Sequence, residues 1–286
     1  PPMRHSRAPL PSAASPLTAV CRRRLVLTAA AAAATAPLPT IGALPPPRGL
    51  AMLATGFTIP PAQYDSYTTI AGALGLRAVA FSDGASTRRP VSPHDGAAML
   101  LERAEAEAHA LGGGPKMPLF LLAHSRGAKL AVLAAAHSKR PVAGMVLLDP
   151  VDATPFEPDS VLPTLSALSV PTAVIGATAG RGDCAPAGTN FASFYDAVSP
   201  STPRCLAVLR RAGHLQFLDR RADLLDVCAA GRDADDDVRA VADAIITTWI
   251  GAFLPSGEGA GAAVGIAALE QPGRFRAQVE WQSGGL

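Results

Sequence analysis

The sequence predicts an α/β fold, a mainly parallel central sheet flanked by helices on both faces. From Gly49 onward, strand-like and helix-like segments alternate, as a parallel sheet with crossover helices requires. The chain has 286 residues, 49% of them apolar, enough to bury the core of one large domain. A short serine-centred turn, Ala123-His124-Ser125-Arg126-Gly127, joins an apolar run of strand length to a helix. Aromatic residues are only 5% of the chain, so Ala, Val and Leu must fill most of the interior.

Taken in order, Leu50–Ala54 reads as a buried strand, followed by a loop containing Gly56. A helix is expected around Gln63–Leu74, then a strand over Arg77–Phe81. The loop Ser82–Pro93 is rich in Gly, Ser, Arg and Pro. Asp95–Leu111 spaces its apolar residues as an amphipathic helix does, and Gly112-Gly113-Gly114-Pro115 stops it. Met117–Ala123 is a continuous apolar run, and Ser125 to about Ser138 reads as an Ala/Leu-rich helix. Val142–Leu148 is a further buried strand, closed by Asp149-Pro150. A proline-bearing excursion covers Val151–Leu168, after which Val170–Ala177 and Cys205–Leu209 read as strands. Asp235–Phe253 is the closing amphipathic helix.

Three segments follow: a leader over 1–48, the α/β domain over 49–254, and a loosely attached Gly/Ala-rich tail over 255–286. No acidic residue precedes Asp65, whereas the leader carries Arg4, Arg7, Arg22, Arg23, Arg24 and Arg48 among many Ser, Ala and Pro. That composition is expected of an import segment, disordered or removed. Arg22-Arg23-Arg24 precedes the apolar run Leu25–Ala34, too short to span a bilayer. A bipartite plastid signal or a plain secretory signal fits better than a disordered tail. The net charge of +2 gives no argument for a nucleic-acid partner. The four cysteines, Cys21, Cys184, Cys205 and Cys228, match no zinc-ligand spacing. Outside the leader they leave two readings open, one disulfide with a spare thiol or three free thiols.

The turn Ala123–Gly127 has the strand-then-helix context of a nucleophile elbow, whose tightness demands small residues two before and two after the serine. Ala123 and Gly127 occupy those elbow positions. They point to Ser125 as the nucleophile of an α/β-hydrolase-type esterase, with its hydroxyl at a helix N-terminus where negative charge is stabilised. The competing reading is a serine that merely caps the helix.

A serine hydroxyl needs a base. Of the six histidines, only His214, in Ala212-Gly213-His214, follows the last expected strand, where this fold places it. For the acid, Asp149 ends the strand that follows the elbow helix, and Asp183 lies after the next strand, the commoner position for the acid in this fold; the two are equal on position, and Asp152 is a near neighbour of Asp149. Each could instead serve a turn or cap. An oxyanion hole needs two backbone N–H groups. Arg126 supplies one, and Phe57 in Thr55-Gly56-Phe57-Thr58 is the candidate for the other.

The string His124-Ser125-Arg126-Gly127-Ala128-Lys129 resembles the GHSRGGK elbow of chlorophyllases. Leu148-Asp149-Pro150-Val151-Asp152 is similar to their IDPVD segment. Cys184-Ala185-Pro186-Ala187-Gly188-Thr189-Asn190, with Phe191 and Phe194 behind it, resembles their CAPxGxN stretch. Gly213-His214-Leu215 with Phe217-Leu218-Asp219 resembles their segment around the histidine, and Cys205 and Cys228 fall where related cysteines are expected. The resemblance runs in order from about Gly49 to Phe253. It departs at Ala123 and Ala128, which replace glycines, at Thr55, where the family has His, and at Gln216, which replaces an acidic residue.

The resemblance implies an esterase that hydrolyses the phytyl ester of chlorophyll to chlorophyllide and phytol, without a metal or other cofactor. It favours Asp149 over Asp183 as the acid. It implies a chloroplast protein that takes chlorophyll or a related phytyl-ester tetrapyrrole as substrate, with a peripheral contact to the thylakoid membrane and no nucleic-acid partner. The rival readings are a plastid lipase or carboxylesterase acting on other acyl esters, and a non-catalytic binding protein of the same fold.

Overall fold

The computed structural model describes residues 45–179, 184–220, 228, 230–255 and 261–285. Most of the expected leader, residues 1–44, and the candidate acid Asp183 lie outside the described residues. The run Gly49–Ala54 forms β1, buried along its whole length. A strand apolar on both faces is stable only where both faces are covered, and β1 accordingly sits inside the sheet. Its neighbours are β2 (Leu76–Phe81) and β3 (Leu119–His124).

The sheet continues through β4 (Val142–Leu148), β5 (Thr172–Ala177), β6 (Arg204–Leu209) and β7 (Val279–Gly284). Its seven strands lie in the order β2-β1-β3-β4-β5-β6-β7. All pairings are parallel except β6 with β7. The chain runs outward from β1 to β2, then crosses back over β1 to β3. Strand order therefore reverses between β1 and β3, and the loops leaving their carboxyl ends part to open a crevice.

Side chains alternate across each strand, so Ala51 and Leu53 enter one apolar layer while Leu50, Met52 and Ala54 enter the other. The first layer is closed by α1 (Asp65–Ala73), α6 (Asp235–Phe253) and α7 (Gly261–Leu269). The second is closed by α2 (Pro93–Ala110), α3 (Gly127–His137), α4 (Leu162–Ser166) and α5 (Phe191–Ala197). Helix α2 starts two residues before its expected start because Ser92 caps it, accepting the Asp95 N–H at 3.1 Å, with Pro93 as first helical residue. Asn190 caps α5 in the same way through the Ala192 N–H.

Three departures from the sequence reading stand out. The excursion after β4 contains α4, and α5 follows the Asn190 cap, where the sequence reading places no helix. The stretch after residue 254, expected as a loose tail, carries α7 packed in the α6 layer and the edge strand β7. Only Val279 and Trp281 mark β7 as apolar, too weak a pattern to announce a strand. Pairing with β6 and the stacking of Trp281 near Phe275 hold it in place. No helix among the described residues is long and apolar enough to cross a membrane.

Candidate active site

The expected turn is present at the carboxyl end of β3, and Ser125 adopts φ +56°, a left-handed conformation that side chains other than glycine rarely take. Its small neighbours explain how the turn closes. A Cβ on Gly127 would stand 2.3 Å from the Ala54 carbonyl oxygen, so α3 can approach the end of β1 only with glycine there. Ala123 is fully buried in β3. The backbone N–H of Ser125 donates to Leu148 O at 3.0 Å, and the Val151 N–H donates to Ser125 O at 3.2 Å. The elbow is thereby laced to the segment that carries Asp149.

Ser125 does not cap α3: the N-cap residue is Arg126, with no side-chain bond to the helix. Its hydroxyl lies 2.9 Å from His214 Nε2 instead, and His214 Nδ1 lies 2.7 Å from Asp149 Oδ2. A carboxylate accepts, so Nδ1 carries the hydrogen, and the neutral ring leaves Nε2 to accept from the serine hydroxyl. Asp149 is almost wholly buried, and its second oxygen accepts the Ala177 N–H at 3.0 Å. That bond ties the carboxylate to the end of β5 and fixes which oxygen faces the imidazole.

Of the two alternative acids, one lies among the described residues. Asp152 is buried but turned into the excursion, where its Oδ1 accepts the Val161 N–H at 2.8 Å and its own N–H donates to Thr189 O. Asp183 lies outside the described residues.

The loop after β1 carries Phe57 beside the elbow, with Thr58 at φ +60°. Gly56 is held close: a Cβ there would come within 3.1 Å of His124 Nδ1 and 3.4 Å of Ser125 Cβ. Among the described residues, neither the Phe57 N–H nor the Arg126 N–H has a hydrogen-bond partner. One of these amides belongs to the residue after Ser125 and the other to the residue after Gly56, whose position packs against Ser125; an oxyanion requires two such donors. The Arg126 side chain is buried and triply anchored. It donates to Glu157 at 2.6 Å, to Asp83 at 2.7 Å and to the Val91 carbonyl at 2.7 Å, and Phe57 lies 6.0 Å from its guanidinium. Those bonds brace the elbow against the loop after β2 and the excursion after β4.

Two polar supports had no local signature in the sequence. His124, next to the serine in sequence, is fully buried and bonds through both ring nitrogens, to Tyr64 Oη at 2.8 Å and His214 O at 3.0 Å. Burial first, and the neighbouring His214 second, hold its imidazole well below the ordinary range. Gln216, one of the departures from the resemblance, accepts the Gly213 N–H at 2.8 Å and donates to Asp233 O and Asp235 Oδ1. It fastens the His214 loop to the chain entering α6. Its amide makes both kinds of bond, which a carboxylate could not.

A cleft of about 420 Å³ opens beside Asp149 and His214, walled by Ala177, Ala185, Pro186 and Phe191 among others. The cysteines resolve into a Cys184–Cys228 disulfide and a buried free Cys205. The disulfide ties the wall at Ala185-Pro186 to the chain beyond the His214 loop. Among the described residues, no group of three or more His, Cys, Asp or Glu side chains is placed to hold a metal ion.

A family model described as Chlorophyllase matches residues 114–263, just over half of the 286-residue chain. The matched stretch contains Ser125, Asp149 and His214; the loop bearing Phe57 precedes it. No curated protein matches the chain.

Proposed function

The chain belongs to the chlorophyllase family, and from that premise we propose that it is a serine carboxylesterase that cleaves the phytyl ester of chlorophyll to chlorophyllide and phytol. The family and the α/β architecture point to an ester hydrolase. The observation that carries the mechanism is the unbroken hydrogen-bonded chain from Ser125 through His214 to Asp149.

In this reading Ser125 Oγ attacks the ester carbonyl carbon while its proton passes to His214 Nε2. The carbonyl oxygen becomes an oxyanion, held by the Phe57 and Arg126 N–H groups. Asp149 keeps Nδ1 protonated and stabilises the imidazolium. Collapse breaks the bond to the phytyl oxygen, which leaves as phytol with the proton from His214. A water molecule, deprotonated by His214, then attacks the Ser125 ester and releases the free propionate of the tetrapyrrole. No step calls on a metal or organic cofactor.

The substrate is tested by offering the purified protein chlorophyll a, short p-nitrophenyl esters and glycerolipid esters. Chlorophyllide formation that is lost in Ser125→Ala supports the reading. Good turnover of the other esters without chlorophyllide would instead favour a carboxylesterase of smaller acyl esters. That second reading draws on the oxyanion loop, which lies outside the matched stretch and has Thr55 where the family has His. The acid-free, Arg-rich leader supports residence in the chloroplast; a fluorescent fusion to residues 1–48 that stays out of plastids would overturn it.

A further inference from the structure

Tyr64 ends a short 3-10 turn, Pro61–Tyr64, and its side chain is completely buried. Its hydroxyl accepts the Gly56 N–H at 3.0 Å and lies 2.8 Å from His124 Nδ1; His124 Nε2 lies 3.0 Å from the His214 carbonyl oxygen. The direction of each bond follows from chemistry. A carbonyl oxygen only accepts, so His124 Nε2 carries the hydrogen. A neutral buried ring then leaves Nδ1 to accept, and the Tyr64 hydroxyl donates to it while accepting from Gly56. No donor or acceptor along this path is left unused.

The two ends of the path are the two moving parts of the proposed chemistry. Gly56 precedes Phe57, the proposed oxyanion donor, and the His214 carbonyl belongs to the residue whose ring takes the serine proton in the proposed mechanism. The segment carrying Tyr64 also grips the base loop further on. Tyr67 Oη donates to Phe217 O at 2.7 Å, the Ser66 N–H donates to Asp219 Oδ2 at 2.9 Å, and the Asp219 N–H donates to Gln63 O at 2.9 Å. The His124 and His214 rings lie only 4.8 Å apart between centroids. A neutral His124 fully committed to hydrogen bonds adds no charge against the imidazolium that forms on His214.

We propose that Tyr64 and His124 are positioning residues, a buried polar strut that holds the oxyanion loop and the base loop in register without touching substrate. This rests on the esterase reading of Ser125 and His214. Displacement of a reacting group by about 1 Å costs on the order of 100-fold in rate, so the strut acts on kcat rather than on KM.

Asparagine and glutamine divide the two functions of the imidazole. Asparagine at 124 keeps a polar group near the Nδ1 position, facing Tyr64, but cannot reach the His214 carbonyl. Glutamine keeps a donor near the Nε2 position. The measurements are kcat and KM on a p-nitrophenyl ester, the rate of Ser125 labelling by a fluorophosphonate, and thermal melting. His124→Asn is expected to lose about 10- to 100-fold in kcat and in labelling rate with KM within about twofold, and His124→Gln to recover most of that loss. Tyr64→Phe, which deletes a single oxygen, should fall between them with KM unchanged.

Wild-type rates in both His124→Asn and Tyr64→Phe would overturn the strut while leaving the esterase reading intact. Equal losses in His124→Asn and His124→Gln, accompanied by a raised KM, would also overturn it, because a purely structural histidine behaves that way. A wild-type protein whose Ser125 resists the probe and which turns over no ester would overturn the esterase reading first, and the strut's role with it.

Discussion

Ser125 and Asp149 both sit in the left-handed region of backbone space, at φ +56° and +39°, at the ends of adjacent parallel strands. Each closes a sharp turn at the carboxyl edge of the sheet, and hydrogen bonds from Ser125 to Leu148 and from Val151 to Ser125 lock one turn to the other. Such conformations cost of order 1–3 kcal/mol each and persist where the surroundings over-determine them. Here the strain aims a hydroxyl and a carboxylate at the same imidazole from two neighbouring strands.

Relieving that strain should separate stability from activity. Ser125→Gly and Ser125→Ala both remove the hydroxyl, and both are expected to abolish turnover. Only glycine accepts φ +56° without cost, so Ser125→Gly should be more stable than Ser125→Ala by about 0.5–1 kcal/mol in urea unfolding. Equal midpoints would mean that the turn is not strained.

The three candidate acids should respond differently. Asp149→Asn leaves the shape of the site but disturbs the imidazole tautomer, and is expected to lower kcat about 10³- to 10⁴-fold. Asp152→Asn alters the carboxylate that accepts from Val161, so it should cost about 1 kcal/mol of stability with little change in kcat. Asp183→Asn should leave most activity in place. Steady-state kinetics of the three variants checks the order, and a larger loss at Asp183 would reverse the assignment.

Asp243 gives a pH signature. Burial pushes its carboxyl up to about 6 from the ordinary value of 3.8; Arg239 opposes the shift and Asp219 adds to it. The folded state therefore takes up a proton below about pH 6, while the unfolded chain waits until about 3.8. This group's contribution is complete below the lower value and is lost as pH rises through the upper one. Asp243→Asn should stabilise the protein at pH 7 by on the order of 1 kcal/mol, a modest figure because the carboxylate is partly solvated. The gain should vanish near pH 4, as thermal melts across that range would show.

Reduction of the Cys184–Cys228 bond frees a loop with a sequence separation of 44. The chain-entropy relation puts the resulting loss at about 4 kcal/mol, so a thiol reductant should lower the melting temperature markedly. Cys205 lies buried in β6 with its thiol pushed up to about 12, and it should stay unreactive to a thiol reagent until the protein unfolds. Rapid labelling of the native protein at Cys205 would contradict this.

What could be read from the sequence was whatever is written in a few consecutive residues. The apolar runs of β1 and β4 and the small residues flanking Ser125 are local patterns, because strand burial and a tight turn are satisfied within a handful of positions. Chain order after the last parallel strand sufficed to single out His214. Choosing among Asp149, Asp152 and Asp183 was a different problem: chain position left them open, and only the resemblance favoured Asp149. Only the parallel pairing of β4 with β3 and β5, which sets Asp149 beside Ser125 and ties its second oxygen to Ala177, shows which carboxylate meets the imidazole. The Tyr64–His124 strut, the Gln216 brace and the β7 edge were likewise invisible. The partners of the strut and of β7 lie far along the chain, and hydrogen bonds across such separations leave no period in the sequence. They exist because the folded sheet brings loops from β1, β3 and β6 to one edge, where a buried polar group left unpaired costs stability.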